Sequence, residues 1–272
     1  MSKTAKKRPK NARKEEEIPE ELETEEQIVE FEEPELNEDP DNDNFVNEII
    51  KPPSMIVIAG KSKRGKSYLI KYLLTMLGLQ KKFKFGLVFC KTKFNGGYDF
   101  FPQDKVIEGY SEKLLDKYMN TLKKYGEEHP VKKKQKKEGI KTNIPPSVIV
   151  FDDILGQIDM NGNFFTSFLS NYRHYNITVI AATQYIYKIS PIFREQADIA
   201  IMFEQNTEKS IRALFETYGQ HFENWKKWKK YLMEHTAKPY HCLIFVEDGD
   251  SFDERYIEYM APKNYPEVIF KF

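Results

Sequence analysis

The sequence predicts an α/β fold in which a mainly parallel sheet lies between two layers of helices. Short apolar runs, each the length of a buried strand, alternate along the chain with segments that have helical periodicity. The predicted strands are 55–59, 85–90, 147–151, 177–182 and 199–203. Strands and helices that alternate in this way are typical of a three-layer sandwich built around a parallel sheet.

The predicted helices have their apolar residues three or four positions apart. They are 67–79, 111–125, 164–172, 207–218 and 222–235. Ser111 stands at the start of the second as an N-cap, which favours a helix beginning there. Two later apolar runs, 242–246 and 256–260, predict strands that extend the sheet. The sequence therefore predicts a C-terminal extension of strands and helices beyond the central fold.

Charge divides the chain into a head and a body. Residues 1–14 carry seven basic side chains and no acid, whereas residues 15–48 carry seventeen acids and no base. Because the whole chain has 42 basic and 42 acidic residues, 49–272 retains 35 and 25, a net charge of +10. We expect 1–48 to be a disordered charged head, since it has too little apolar surface to fold, and 49–272 to be the folded domain. The cationic body suits a nucleic acid, although evenly spread charge would serve solubility alone.

The cysteines and the hydropathy profile indicate the compartment. Cys90 and Cys242 both lie in apolar runs, which favours buried free thiols in a reducing environment. The basic start of the chain lacks the apolar stretch of a secretory signal, and no run of about 18 apolar residues occurs. We therefore expect a soluble intracellular protein with no membrane contact.

A glycine turn after the first predicted strand has the pattern of a phosphate-binding loop, G-x-x-x-x-G-K-[ST]. Its residues are Gly60, Lys61, Ser62, Lys63, Arg64, Gly65, Lys66 and Ser67. The flanking strand and helix are the context that this motif requires. The glycines let backbone N–H groups surround a phosphate, Lys66 reaches the β- and γ-phosphates, and Ser67 offers a hydroxyl to Mg²⁺. A chance glycine turn with surface lysines is the alternative, but the flanking pattern favours a site for ATP and Mg²⁺.

Two acids follow the third predicted strand, at the carboxyl end where parallel sheets place ligands. These are Asp152 and Asp153, about 90 residues after the glycine loop. Asp152 is predicted to hold Mg²⁺, and Asp153 to orient or polarise the attacking water. A strand that merely ends in a polar turn is the alternative.

The fourth predicted strand has polar residues at both of its ends. It ends in Thr183 and Gln184, and Gln184 would lie beside the γ-phosphate if this strand lay between the two motif strands. Arg173, just before the strand, could reach the phosphate of a neighbouring subunit. Ordinary solvation of a strand end and ordinary surface charge are the alternatives for these two residues.

The run from Arg173 to Gln184 resembles the segment of the FtsK/HerA translocases in which an arginine precedes a strand ending in Ala-Thr-Gln. Within residues 52–205, four motifs in order resemble the viral branch of that group: Phe151-Asp-Asp-Ile, Arg173-His174, Thr183-Gln184 and Pro191-Ile-Phe-Arg194. The likeness is strongest to the poxvirus-type genome-packaging ATPases of large DNA viruses and virophages. It implies an additional-strand P-loop NTPase fold, a homo-oligomeric ring, and ATP-driven packaging of double-stranded DNA into a capsid.

The resemblance also assigns roles to single residues. It implies that Lys66 and Ser67 contact nucleotide and magnesium, that Asp152 and Asp153 form the second motif, that Gln184 senses the phosphate, and that Arg173 acts in trans. A capsid or portal-vertex protein is the implied partner. The implied location is the host cytoplasm, at the virus factory, or the virion.

Two lysine-rich segments are candidate contacts for DNA phosphates. One, within a predicted exposed loop at 127–142, contains Lys132, Lys133, Lys134, Lys136 and Lys137, and the other is the run Trp225-Lys-Lys-Trp-Lys-Lys230. A solvated loop and an amphipathic packing helix are the alternatives, and we favour packing for the two tryptophans.

Two other functions remain open on the sequence alone. One is a cellular or plasmid-type translocase of the same superfamily. The other is a virion protein that binds nucleotide without hydrolysing it.

Overall fold

The computed structural model describes residues 45–81, 83–93, 96–137, 139 and 141–271. Residues 1–44 of the predicted head lie outside this part of the chain. The described chain starts with a short helical segment, Phe45–Ile49, in which Val46 is fully buried. The packed part of the chain therefore includes residues before position 49.

Eight strands of the described chain form one sheet. They are β1 (Met55–Ala59), β2 (Phe85–Cys90), β3 (Val106–Glu108), β4 (Ser147–Asp152), β5 (Ile177–Thr183), β6 (Ile199–Met202), β7 (Cys242–Val246) and β8 (Tyr256–Tyr259). Their order across the sheet is β3-β2-β4-β5-β1-β6-β7-β8. The first six strands are parallel, whereas β7 and β8 pair antiparallel at one side. The mainly parallel sheet and its C-terminal extension agree with the sequence prediction.

The helices connect the parallel strands and cover the sheet. They are α1 (Lys66–Lys81), α2 (Glu112–Glu128), α3 (Lys133–Lys137), α4 (Asn163–Asn171), α5 (Pro191–Glu195), α6 (Glu208–Tyr218), α7 (Trp225–Thr236) and α8 (Phe252–Arg255). Ser111 caps α2 as predicted, since its side chain accepts a hydrogen bond from Leu114 N at 3.3 Å.

Alternate residues of β1 face two separate cores. Val57 packs with residues of α4, α6 and α7 on one face, whereas Ile56 and Ile58 pack with residues of α1 on the other. Every residue of β1 is buried, because helices cover both faces of the sheet. This double burial explains why the central strands are continuous apolar runs in the sequence.

The lysine-rich stretch differs from the exposed loop predicted at 127–142. The last turn of α2 and the short helix α3 (Lys133–Lys137) occupy part of it. Lys132, Lys133, Lys136 and Lys137 are nevertheless exposed, as a charged segment that cannot pack should be.

The tryptophans of α7 pack inward, as expected. Trp228 is fully buried and its Nε1 donates a hydrogen bond to Ile211 O at 3.3 Å. Trp225 is half-buried against Phe215, and the Arg212 guanidinium lies 4.7 Å from the centre of the Trp225 ring. The lysines between the two tryptophans face solvent.

Cys90 and Cys242 are both buried and free. Over the described residues, the helices are all too short or too polar to cross a membrane.

Candidate functional site

The polar ends of three neighbouring strands meet at the carboxyl edge of the sheet. Strand β5 lies between β1 and β4, with Thr183 beside Ala59 and Ala182 beside Asp152 in the register. The loop after β1, the acids at the end of β4 and the glutamine after β5 therefore share one edge. The position between the two motif strands, which was the condition for placing Gln184 beside the γ-phosphate, is therefore observed.

The glycine loop 60–67 is fixed to the strands on both sides of β1. Gly60 N donates to Thr183 O at 3.2 Å, and Lys61 N donates to Glu204 O at 3.0 Å. Gly65 has a φ of +101°, a backbone conformation that would be strained for any residue with a side chain. Helix α1 then begins at Lys66, so the N–H groups of its first turn point back toward the loop.

The loop encloses the side chain of Lys66. Only 6% of this residue is exposed, and Nζ donates to Gly60 O at 2.7 Å and to Lys61 O at 3.0 Å. Burial lowers the pKa of Lys66 from its ordinary value, while the nearby carboxylates of Asp153 and Asp152 act in the opposite direction. The structure thus holds a buried ammonium group between the loop and two acids.

The two acids have different surroundings. Asp152 is largely buried, and its Oδ2 accepts a hydrogen bond from the Tyr98 hydroxyl at 2.9 Å. Burial raises the pKa of Asp152, and the Tyr98 hydrogen bond opposes that rise. Asp153 adopts a left-handed backbone with a φ of 55°, and its Oδ2 accepts from Gln184 Nε2 at 2.5 Å. The structure therefore brings together Lys66, Asp152, Asp153 and Gln184.

Glu204 places an acid against the basic residues of the loop. Its carboxylate pairs with the side chains of Lys61 and Arg64. Neither Glu204 nor Tyr98 was predicted from the sequence. Glu204 follows β6 at the same edge of the sheet, so its position after a predicted strand was a usable signal, whereas Tyr98 lies in an irregular segment with no pattern.

The remaining loop residues are open to solvent. Ser62 and Lys63 are exposed, and Lys63 has a φ of 60°. Ser67 is exposed in the first turn of α1, beside the buried Lys66. A helix N-terminus, a buried ammonium group and two carboxylates form a donor set that fits a polyphosphate together with a divalent cation.

Arg173 lies at the opposite end of the strands from this site, where the parallel strands begin. It precedes β5, and its guanidinium pairs with Asp198, which also accepts a hydrogen bond from Met55 N at 2.7 Å at the start of β1. The guanidinium stacks 5.3 Å from the centre of the Tyr172 ring, and 52% of the Arg173 side chain is exposed. Within one chain, Arg173 is therefore not part of the site at the carboxyl edge.

Arg194, from the fourth motif, is a buried residue that joins two helices. It lies in α5, and its Nη1 donates to Ala213 O in α6 at 2.6 Å. Its place in the core gives it a packing role.

The sheet order and the site define the class of the protein. A phosphate-binding type of loop after β1, acids after β4 and an extra strand between them make this an additional-strand P-loop NTPase fold. The family model described as Poxvirus A32 protein matches residues 43–210, well over half of the chain. The chain belongs to the Poxvirus A32 protein family.

Relatives with similar sequences come from large DNA viruses. The uncharacterized protein 075L of Invertebrate iridescent virus 6 is 24% identical over 236 residues, which cover 86% of this chain and 83% of that protein. The uncharacterized protein L437 of Acanthamoeba polyphaga mimivirus is 23% identical, with 73% of this chain and 68% of that protein covered.

Solved structures with a similar fold include a viral NTPase and a secretion ATPase. The genome packaging NTPase B204 from Sulfolobus turreted icosahedral virus 2, in complex with AMPPCP, has a TM-score of 0.54 and 20% identity, covering 78% of this chain and all of B204. The cytoplasmic domain of the Thermomonospora curvata type VII secretion ATPase EccC has a TM-score of 0.52 and 15% identity, covering 76% of this chain and 25% of that one. Both support the P-loop fold.

Gly60 lies so close to Phe203 that the structure predicts a cost for any side chain there. A Cβ at Gly60 would lie 2.5 Å from Phe203 Cβ, whereas a Cβ at Gly156 would have no atom within 4 Å. Gly60→Ala should lower the free energy of unfolding by about 1–3 kcal/mol, the usual cost of overpacking. Gly156→Ala is the matched control and should leave it unchanged or slightly higher. Thermal unfolding measures both, and an unchanged midpoint for Gly60→Ala would contradict the close contact.

Proposed function

We propose that the chain is an ATPase that moves double-stranded DNA and packages a viral genome into its capsid. The observation that carries this proposal is the buried Lys66 inside the glycine loop, faced by Asp152 and Asp153 with Gln184 beside them. Membership of the Poxvirus A32 protein family and the fold shared with B204 support it.

Each residue of the site has a role that its position suits. The backbone of loop 60–67 and the N-terminus of α1 bind the phosphates, and the Lys66 ammonium exchanges its hydrogen bonds to loop carbonyls for bonds to phosphate oxygens. Ser67 and Asp152 would hold Mg²⁺, which neutralises charge on the phosphate oxygens. Asp153 orients and polarises the attacking water.

Gln184 fixes the carboxylate that acts on the water. Its amide donates to Asp153 Oδ2, so a movement of Gln184 changes the position of that carboxylate. Gln184 is thus placed to couple the state of the γ-phosphate to β5 and to the rest of the sheet.

The DNA partner is proposed from charge. The body 49–272 carries a net charge of +10, and the exposed side chains of Lys132, Lys133, Lys136 and Lys137, with the exposed lysines of α7, offer phosphate contacts. A homo-oligomeric ring would surround the duplex, with a capsid or portal-vertex protein as the docking partner at the virus factory or in the virion.

A cellular or plasmid-type translocase would share the same nucleotide site. A virion protein that only binds nucleotide would not need the contact between Gln184 and Asp153.

The test of this function is ATP hydrolysis by the full chain with and without duplex DNA. We expect hydrolysis that rises when duplex DNA is added. A chain that binds ATP and releases no phosphate would favour the non-hydrolysing alternative, and hydrolysis indifferent to duplex DNA would contradict the motor.

Two substitutions should separate binding from hydrolysis. Lys66→Ala should abolish tight ATP binding, because the phosphates lose their buried charge partner. Asp153→Asn should keep binding and stop turnover; Asn tolerates the left-handed backbone at this position, so the fold is retained. Calorimetric titration with ATP and a phosphate-release assay measure the two effects. Parent-rate hydrolysis by Asp153→Asn would show that its assigned role is wrong.

Arg173 is proposed to act on the nucleotide of a neighbouring subunit. It is half-exposed and lies at the opposite end of the strands from the loop of its own chain, and its pairing with Asp198 fixes its orientation. An arginine finger contributes about 10³- to 10⁵-fold to the rate in P-loop enzymes. Arg173→Ala alone should therefore lose nearly all hydrolysis while retaining ATP binding.

Mixing of subunits tests the trans assignment. Arg173→Ala chains mixed with Lys66→Ala chains should regain activity, since one kind supplies the loop and the other the arginine. Arg212→Ala is the matched control, because Arg212 is also exposed and stacked on an aromatic ring, and it should keep full activity alone. If no mixture exceeds either inactive variant, Arg173 does not act across the boundary.

A further inference from the structure

Tyr240 is an exposed aromatic residue with a strained backbone. It lies between α7 and β7, has a φ of 68°, and exposes 59% of its surface. An aromatic residue at positive φ costs free energy, so it persists only where surrounding contacts impose that conformation. Strained residues of this kind cluster at ligand sites.

The ring of Tyr240 borders the glycine loop. A Cβ built on Gly65 would lie 3.1 Å from Tyr240 Cδ1 and 3.8 Å from Phe203 Cε1. Gly65 immediately precedes Lys66 and the start of α1. The ring therefore lies beside the junction of the loop and the N-terminus of α1.

Contacts on its C-terminal side hold the segment of Tyr240 in place. His241 N donates to Lys238 O at 3.3 Å, which closes a turn around Tyr240. His241 Nδ1 also forms a hydrogen bond with Glu258 Oε1 of β8 at 2.8 Å. The turn and the bond to β8 thus fix the backbone on both sides of Tyr240.

Other exposed aromatic residues near the loop are already engaged: Tyr185 packs edge-on against Tyr187 and lies under the Lys188 ammonium, and Tyr68 is held by the C-terminal segment. The Tyr68 hydroxyl donates to Pro262 O at 2.7 Å and to Lys263 O at 2.9 Å, and its ring packs edge-on against Tyr265. By contrast, within the described part of the chain no side chain stacks on Tyr240 or forms a hydrogen bond with it.

We propose that the Tyr240 ring is the platform on which the base of the bound nucleotide stacks. This inference rests on the proposed nucleotide site. A nucleoside triphosphate has a polyanionic end that suits the loop and a flat aromatic end that must rest on the surface bordering the loop. An exposed aromatic ring held at that border supplies a π-face for it.

The test compares ATP with inorganic tripolyphosphate, which has the phosphates without the base. In calorimetric titrations of the full chain with Mg²⁺ present, Tyr240→Gly should lower ATP affinity roughly tenfold, the equivalent of about 1.4 kcal/mol. Tripolyphosphate affinity should not change. Tyr240→Phe keeps the ring and is the matched control, with ATP affinity near that of the wild type.

Glycine is the informative replacement because it adopts positive φ without steric cost. The thermal midpoint of Tyr240→Gly should therefore equal or exceed that of the wild type, which excludes misfolding as the cause of lost affinity. Unchanged ATP affinity in Tyr240→Gly would overturn the platform and leave the proposed function standing. Equal losses for ATP and tripolyphosphate would also overturn it, since the ring would then act on the loop. A wild-type chain that bound neither ligand would overturn the proposed function and this inference together.

Discussion

Two consecutive backbone carbonyls at the end of β5 accept hydrogen bonds from the two segments that form the candidate site. Ala182 O accepts from Asp153 N, and Thr183 O accepts from Gly60 N. The acid turn after β4 and the glycine loop after β1 are therefore both fastened to the strand between them. These bonds fix where the acid turn and the loop begin relative to β5. Any movement of β5 is transmitted to both halves of the site.

The parts of the fold predicted from the sequence are those with strong local patterns. Strands buried on both faces appear as continuous apolar runs, so β1, β2, β4, β5 and β6 were found within one residue of their observed ends. Strand β3 was missed because it has only three residues, of which Val106 alone is buried. Helix α3 was missed because its sequence, KKQKK, has no apolar periodicity. Short elements are determined by tertiary contacts that local sequence does not encode.

The same distinction applies to the candidate site. Loop 60–67, Asp152, Asp153 and Gln184 were found because each follows a predictable strand at one edge of a parallel sheet. Tyr98 was out of reach, since it is 54 positions from the Asp152 carboxylate that it contacts and belongs to an irregular segment. A backbone of positive φ likewise leaves no signal at a tyrosine. The side chains that meet at this edge could thus be predicted from the sequence, whereas the groups that contact the carboxylates and border the loop could not, because tertiary packing alone brings them there.

The two outer strands of the sheet are both short. Strand β3 has three residues at one side and β8 has four at the other. An outer strand this short offers few unpaired N–H and C=O groups to another chain, and natural sheets use short outer strands to avoid pairing edge to edge. Within the described residues, the sheet therefore offers little backbone for a strand of another chain to pair with. Short outer strands leave helix faces and loops as the larger surfaces of the described chain, and a contact made through such surfaces forms and breaks without disturbing a ladder of backbone hydrogen bonds.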